Sequence, residues 1–246
     1  MSYRLEGILG VSPQIGVILP TYCESPNIEG LIGEIERLGL GVSILVIDDS
    51  SPDKTAEFVR RMQKEYGNVL LYVRSEKLGL GTAITDGFKI YLSMKPAPSY
   101  IVTMDADYSH DPKAIPQLLS LAQTGCGIAI GSRYCAGGRT DGCSLSRKMV
   151  SRTANAVAKS VLGLRLHDCT SGFRCYSTEF LKAAIGSLHS QTYEIQIEMV
   201  RQALTRGFNV IEVPILFTNR KLGRSKLTSM EVQSYSSYVF KALAHK

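Results

Sequence analysis

The 246-residue chain is poor in cysteine and histidine, with six Cys and four His. No two Cys form a CxxC pair, and none has a His at zinc-ligand spacing. This excludes a disulfide scaffold and a zinc module. Cys23, Cys126, Cys135, Cys143, Cys169 and Cys175 read as reduced thiols of a cytosolic protein. Long apolar runs are missing too. The charge-free stretch 7–23 is broken by Pro13, Gln14 and Pro20, and the stretch 114–132 by Pro116, two Gln, a Thr and three Gly. Neither suits a transmembrane segment, and the N-terminus has no signal-peptide core. There is no GxGxxG after the first strand and no GxxxxGK[ST], which disfavours dinucleotide oxidoreductases and P-loop NTPases. No Ser–His–Asp arrangement is legible, and His167, His189 and His245 belong to no constellation. Without a repeat, a low-complexity linker or a composition break, residues 1–246 read as one domain.

What is present is an apolar content of 44% with 20% charged residues, enough for a large core and too much for disorder. The net charge of +6 is localised. Residues 131–174 carry eight basic side chains (Arg133, Arg139, Arg147, Lys148, Arg152, Lys159, Arg165, Arg174) against Asp141 and Asp168. Residues 217–246 carry six basic against Glu231. Local basicity suits phosphates, nucleic acid or acidic lipid, and a plain solvated face is the competing reading.

Periodicity predicts strands at 15–19, 42–47, 69–73, 100–104 and 127–131, with helices between them. Ser25-Pro26, Ser51-Pro52 and Asp111-Pro112 supply helix starts, Gly39 and Gly67 supply stops, and a helix runs from Gly81 to Met94. The second half predicts helices at 146–162, 178–185, 192–206 and 228–244, and strands at 173–176 and 209–217. The class is α/β, with a mostly parallel central sheet flanked by helices and a more helical C-terminal part. Such sheets bind ligands at the carboxyl ends of their strands. There the sequence places Pro20, Thr21, Tyr22, Cys23 and Glu24, then Asp48 and Asp49, then Asp105-Ala106-Asp107, then Arg133. Two carboxylates at i and i+2 suit Mg²⁺ or Mn²⁺ completed by substrate phosphates. A lone DxD also arises by chance, and Ser109 or Asp111 could cap the next helix without a metal. The strand-end position, opposite an acidic pair and beside a basic segment, favours the metal. Gly79 and Gly81 fit a tight turn better than a phosphate cradle, and His110 fits a supporting role better than a catalytic one.

These residues carry a resemblance. PTYCE (20–24), VIDDSSPDKT (46–55), KLGLGTA (77–83), MDADYSHDP (104–112), GSRY (131–134), SRKMVSRTAN (146–155), DCTSGFR (168–174), QIEM (196–199), EVPI (212–215) and RKLGRSKL (220–227) occur in the order of one family. The chain resembles the family 2 glycosyltransferases of the GT-A fold, and among them the dolichol-phosphate (polyprenyl-phosphate) mannosyltransferases. The resemblance implies inverting transfer of mannose from GDP-mannose to a polyprenyl phosphate, with no covalent glycosyl-enzyme. A sibling using another donor such as UDP-glucose is the alternative, and a basic nucleic-acid-binding module is a remote one. Residues 14–134 would form the nucleotide-sugar and metal half, 135–227 the acceptor part and 228–246 a C-terminal helix.

By the same resemblance Pro20, Tyr22, Glu24, Ile47 and Asp49 would hold the nucleoside, and Asp105, Ala106 and Asp107 the diphosphate. Asp105, Asp107 and Ser109 would hold the metal. Arg133, Arg147 and Ser151 would hold the acceptor phosphate, with Asp107 and Arg133 as catalytic residues. Arg220 and Lys226 would lie on a loop closing over the donor, and Arg220–Leu227 is expected to be a mobile lid. Cys23 stands where the family usually has Asn, and Lys54 where it usually has Gly, which affects turns more than chemistry. The implied partners are the nucleotide sugar, the polyprenyl phosphate lipid and a membrane surface reached from the cytoplasm as a peripheral protein, with a membrane-anchoring subunit as one means; nucleic acid is not among them. Thr228 and Glu231 make a capping box for a last helix whose stripe of Val232, Tyr235, Tyr238, Val239, Ala242 and Leu243 fits core packing or a bilayer surface.

Overall fold

A computed structural model describes residues 4–9 and 13–220. The expected helix at 228–244, Lys226 and all of the expected lid except Arg220 lie outside the described residues, as does the side chain of Arg147.

The elements are β1 (Arg4–Glu6), β2 (Ile15–Thr21), α1 (Ile28–Glu36), β3 (Val42–Asp48), α2 (Thr55–Glu65), β4 (Val69–Val73), α3 (Leu80–Ser93), β5 (Tyr100–Thr103), α4 (Ile115–Ala122), β6 (Ile128–Ser132), β7 (Arg139–Asp141), α5 (Leu145–Leu162), β8 (Arg174–Ser177), α6 (Thr178–Ala184), α7 (Ile195–Thr205), β9 (Val210–Pro214) and β10 (Leu216–Thr218). The large sheet has the order β1-β4-β3-β2-β5-β8-β6-β9. β2, β3, β4, β5, β6 and β9 run one way, while β1 and β8 are antiparallel to their neighbours.

Central strands of such a sheet are covered on both faces, so they read as unbroken apolar runs. β3 shows this: all of its residues are buried. Its alternate side chains feed two cores. Ile44 and Val46 join Leu31 and Ile35 of α1, Val59 of α2 and Leu118 of α4 on one face. Leu45 and Ile47 join Phe88 of α3, Phe180 of α6 and Met199 of α7 on the other. Each such side chain contributes about 1.5–3 kcal/mol by leaving water.

The chain adds β3 and β4 on one side of β2, then returns to lay β5 on the other. The sheet therefore has its switch point between β2 and β5, where doubly wound sheets open a crevice at the strands' carboxyl ends.

Several local expectations are corrected. α1 begins after Asn27 rather than Ser25, and α2 after Lys54 rather than Ser51. In both places the chain first makes a turn whose polar groups tie two loops together. The stretch 209–217 is not one strand. Pro214 ends β9, and the chain then leaves the large sheet so that β10 pairs in parallel with β7. Asp111 does cap as expected, accepting from the Lys113 N–H at the start of a short 3₁₀ turn.

Candidate active site

The loop after β2 and the loop after β3 are laced together. The Cys23 N–H donates to Ser51 Oγ at 2.9 Å, the Glu24 N–H to Thr55 Oγ1 at 3.0 Å and the Ser25 N–H to Asp53 Oδ2 at 3.0 Å. Asp48, fully buried, accepts from Thr21 Oγ1 and from Ser51 N and Oγ, so it serves the loops rather than a ligand. Cys23 and Lys54 both adopt left-handed backbone, with φ of 58° and 69°. Asn and Gly are the residues that tolerate this region best. The two departures from the family pattern thus fall where the backbone itself prefers the usual residues.

An open cleft lies at the switch point. Pro20, Tyr22, Glu24, Asp49, Asp105, Ala106, Asp107 and Arg220, all expected from the sequence, line it. Ile47 does not line it: its side chain is wholly buried in the core, and only its carbonyl turns to the loop, accepting from Thr21. Ser109 and Arg133 are likewise absent from the lining.

On the β3 side, Asp49 is held by Arg74, whose Nε lies 2.6 Å and Nη2 2.5 Å from Asp49 Oδ1. Burial pushes the Asp49 carboxyl up, and the Arg74 guanidinium offsets part of the rise. Arg74 also reaches Thr82 Oγ1 and the Gly79 carbonyl, which fixes the start of α3 against the site. Sequence reasoning missed Arg74, although it follows β4 at the carboxyl edge as the acidic residues follow β3 and β5. Lys77, 5.0 Å over the Tyr22 ring, and Tyr193 were missed as well, and both line the cleft. Gly79, with φ of 98°, also lines it. A Cβ on Gly79 would meet the Gln191 carbonyl at 2.5 Å, and one on Gly81 the Ser190 carbonyl at 2.5 Å. These glycines serve close backbone approach of the 190–191 loop.

On the β5 side, Asp107 is nearly buried and Asp105 is 40% exposed. Burial raises the Asp107 carboxyl, yet the bonds from Ser109 and the charge of Arg220, with Nη2 2.9 Å away, hold it below the usual range. His110 is buried, stacks on Phe173 at 5.1 Å, and accepts the Asp105 N–H on Nδ1 at 3.1 Å. Burial keeps its pKa low, so the neutral ring serves to hold the backbone of the acidic turn. Among the described residues no three His, Cys, Asp or Glu form a metal cage. Two hard carboxylates fit Mg²⁺ or Mn²⁺ when substrate phosphates complete the shell.

Behind this edge lies a buried polar cluster. Arg133 donates to Asp168 through Nε at 2.6 Å and Nη2 at 2.7 Å, and Nη2 also donates to Thr170 Oγ1 at 2.7 Å. Burial alone would raise the Asp168 carboxyl, but the Arg133 fork holds it below its ordinary value. Asn155 Nδ2 lies 3.4 Å from Asp168 Oδ1 and donates to Thr170 Oγ1 and to the carbonyl of Ser151, so Arg133 and Ser151 share one cluster. Ser151 Oγ is buried with no hydrogen-bond partner among the described residues. Arg174, counted with the basic segment, is internal: its three guanidinium nitrogens donate to the carbonyls of Ser171, Gln196 and Cys169.

The fold is of the GT-A type, and the family match makes the chain a glycosyltransferase. The model of glycosyl transferase family 2 matches residues 16–185, and the chain belongs to that family. Polyprenol monophosphomannose synthase of Mycolicibacterium smegmatis is 37% identical over 219 residues, covering 88% of this chain and 82% of that protein. Undecaprenyl-phosphate mannosyltransferase of Micrococcus luteus is 34% identical over 212 residues, covering 86% of each. Among solved structures, glucosyl-3-phosphoglycerate synthase from Mycobacterium tuberculosis with Mn²⁺, UDP and glucosyl-3-phosphoglycerate aligns with a TM-score of 0.64 at 21% identity, covering 96% of this chain and 80% of that one. A mannosyltransferase from Pyrobaculum calidifontis with GDP-mannose and Mn²⁺ aligns with a TM-score of 0.63 at 15% identity, covering 98% and 68%. These two likenesses concern the fold.

Proposed function

We propose that the chain transfers mannose from GDP-mannose to the phosphate of a polyprenol such as dolichol, with inversion at the sugar. The names of the two curated relatives support the sugar and the lipid. The observation that carries the reading is the cleft at the switch point, with Glu24 and Asp49 on one wall, and Asp105, Asp107 and Arg220 on the other. The first pair meets the nucleoside together with Pro20 and Tyr22. The second meets the diphosphate, with Asp105 and Asp107 holding a divalent ion, Mg²⁺ or Mn²⁺, and Ser109 steadying Asp107. When bound, that ion neutralises charge developing on the departing diphosphate.

A phosphate monoester needs no general base, because its second pKa is near 6 and it is already a dianion at neutral pH. One of its oxygens attacks C1 of the hexose from the face opposite the nucleotide. The C1–oxygen bond to the β-phosphate breaks, and its electrons leave on GDP. What the protein must do is hold two anions together. Arg147 and Ser151 stand for the acceptor side, on the 135–227 part, with Arg133, whose Nε and Nη2 are taken by Asp168, beside Ser151 in the same cluster, and Arg220 with Lys226 stand for the donor side. Arg suits this role because its planar fork makes paired bonds that Lys does not reproduce.

Among the described residues no helix is long and apolar enough to cross a membrane. In this reading the enzyme meets its lipid as a peripheral protein on the cytoplasmic face, directly or through an anchoring subunit. The test is a donor panel: full-length chain, Mn²⁺ or Mg²⁺, a polyprenyl phosphate in detergent, and GDP-mannose, UDP-glucose or other nucleotide sugars. Glycolipid formed from GDP-mannose alone is the expected result. Glycolipid from UDP-glucose alone would move the chain to the sibling reading, and no glycolipid from any donor would refute both.

A further inference from the structure

Gln196 is 2% exposed, in the first turn of α7. Its backbone is fully engaged: the N–H donates to the Tyr193 carbonyl and the carbonyl accepts from Arg174. Its side chain is not. Neither Nε2 nor Oε1 has a hydrogen-bond partner among the described residues, and both are shielded from solvent. A buried amide left so forfeits about 1–3 kcal/mol for each unmade bond, which proteins tolerate chiefly where function uses the group.

The amide faces the acidic turn across a glycine. A methyl group on Gly172 would lie 3.4 Å from Asp105 Oδ1, 3.5 Å from Gln196 Nε2 and 3.9 Å from His110 Cε1. The space over Gly172 is therefore shared by the first carboxylate of the acidic pair and the unpartnered amide. Tyr193, one turn before Gln196, lines the cleft itself. An amide presents both donors and acceptors. A phosphate oxygen would satisfy only its NH₂ and leave Oε1 bare. A sugar hydroxyl both donates and accepts, so two hydroxyls of one hexose satisfy both ends.

We propose that Gln196 grips the donor hexose through its hydroxyls and is a specificity-determining residue of the transfer. This rests on the reading of the site as a nucleotide-sugar site. The experiment uses the full chain and compares wild type, Gln196→Met and Gly172→Ala. It reads binding of GDP with Mn²⁺ by calorimetry, and kcat/KM for GDP-mannose and for its monodeoxy-mannose analogues. Gln196→Met is expected to bind GDP within about twofold of wild type while kcat/KM for GDP-mannose falls by roughly 10- to 100-fold, the range for lost hydroxyl contacts. With at least one deoxy donor wild type should fall to a similar level and the variant should lose little more. Equal fractional losses on every deoxy donor, or a loss matched in GDP affinity, would overturn the proposal. If Gln196→Met does not fold, Gly172→Ala decides in the same arms. Its Cβ meets only ordinary contacts, and it should lower hexose turnover while sparing GDP binding; unchanged turnover would overturn the proposal. Wild type that makes no glycolipid from any donor would overturn the site reading and this inference with it, whereas additive losses in an active enzyme overturn this inference alone.

Discussion

Asp168→Asn isolates what the buried cluster behind the cleft contributes. Asp168 is fully buried, and the Arg133 side chain is 12% exposed. The carboxylate takes two short bonds from the guanidinium and accepts the Arg133 N–H at 3.1 Å. Asn keeps the shape but removes the charge opposite Arg133, which cannot shed its proton. Breaking a buried pair in this way costs about 3–5 kcal/mol. For a domain of this size that corresponds to a fall in melting temperature of about 6–20 °C. Denaturant titration should show a lower midpoint with an unchanged slope. Arg133→Met should cost a similar amount, and the double variant should be less destabilised than the two singles added, by about 0.5–3 kcal/mol. The acid limb carries a second signature. Asp168 titrates below its ordinary value near 3.8, so its stabilisation is complete above that value and is lost as pH falls through the lower folded one. The gap between wild type and Asp168→Asn should therefore be full at pH 7 and shrink below about pH 4. A variant melting within about 2 °C of wild type at pH 7, with no narrowing in acid, would refute the reasoning.

Asp107→Ala should abolish transfer and the heat of Mn²⁺-dependent donor binding while leaving circular dichroism unchanged; turnover retained in the presence of a chelator would count against metal assistance. Lys54→Gly and Cys23→Asn relieve left-handed backbone and should each raise stability by about 0.5–1 kcal/mol in urea titrations, with loss of stability contradicting the turn argument. Gly81→Ala drives a Cβ to 2.5 Å from the Ser190 carbonyl and should destabilise by about 1–3 kcal/mol, seen as a lowered thermal midpoint. Arg147→Lys should reduce turnover on polyprenyl phosphate more than affinity for GDP-mannose; equal loss of both would remove Arg147 from the acceptor side.

The alternation of strands and helices was legible because each strand is a short apolar run ended by a polar turn, as VSILVID is by Asp48-Asp49. The carboxyl-edge rule then collected Glu24, Asp49, Asp105 and Asp107 from the sequence alone. What it missed depends on distant partners. Nothing local says that β8 inserts antiparallel between β5 and β6, or that Arg133 is met by Asp168 35 residues later. Arg74 drew no reading and Arg174 was counted with the basic segment, yet both are internal because acidic or carbonyl groups from other elements converge on them. Helix starts were misplaced after Ser25 and Ser51 because loop-to-loop bonds, not capping, decide those turns.

The most direct test of the central claim measures product stoichiometry and anomeric configuration together. Full-length chain is incubated with GDP-mannose, Mn²⁺ and a polyprenyl phosphate, GDP release is followed, and the mannolipid is examined by NMR. The account predicts one GDP per mannolipid, GDP release that depends on the lipid phosphate, and a β-linked mannose inverted from the α-linked donor. Lipid-independent GDP release without mannolipid, or an α-linked product, would contradict it.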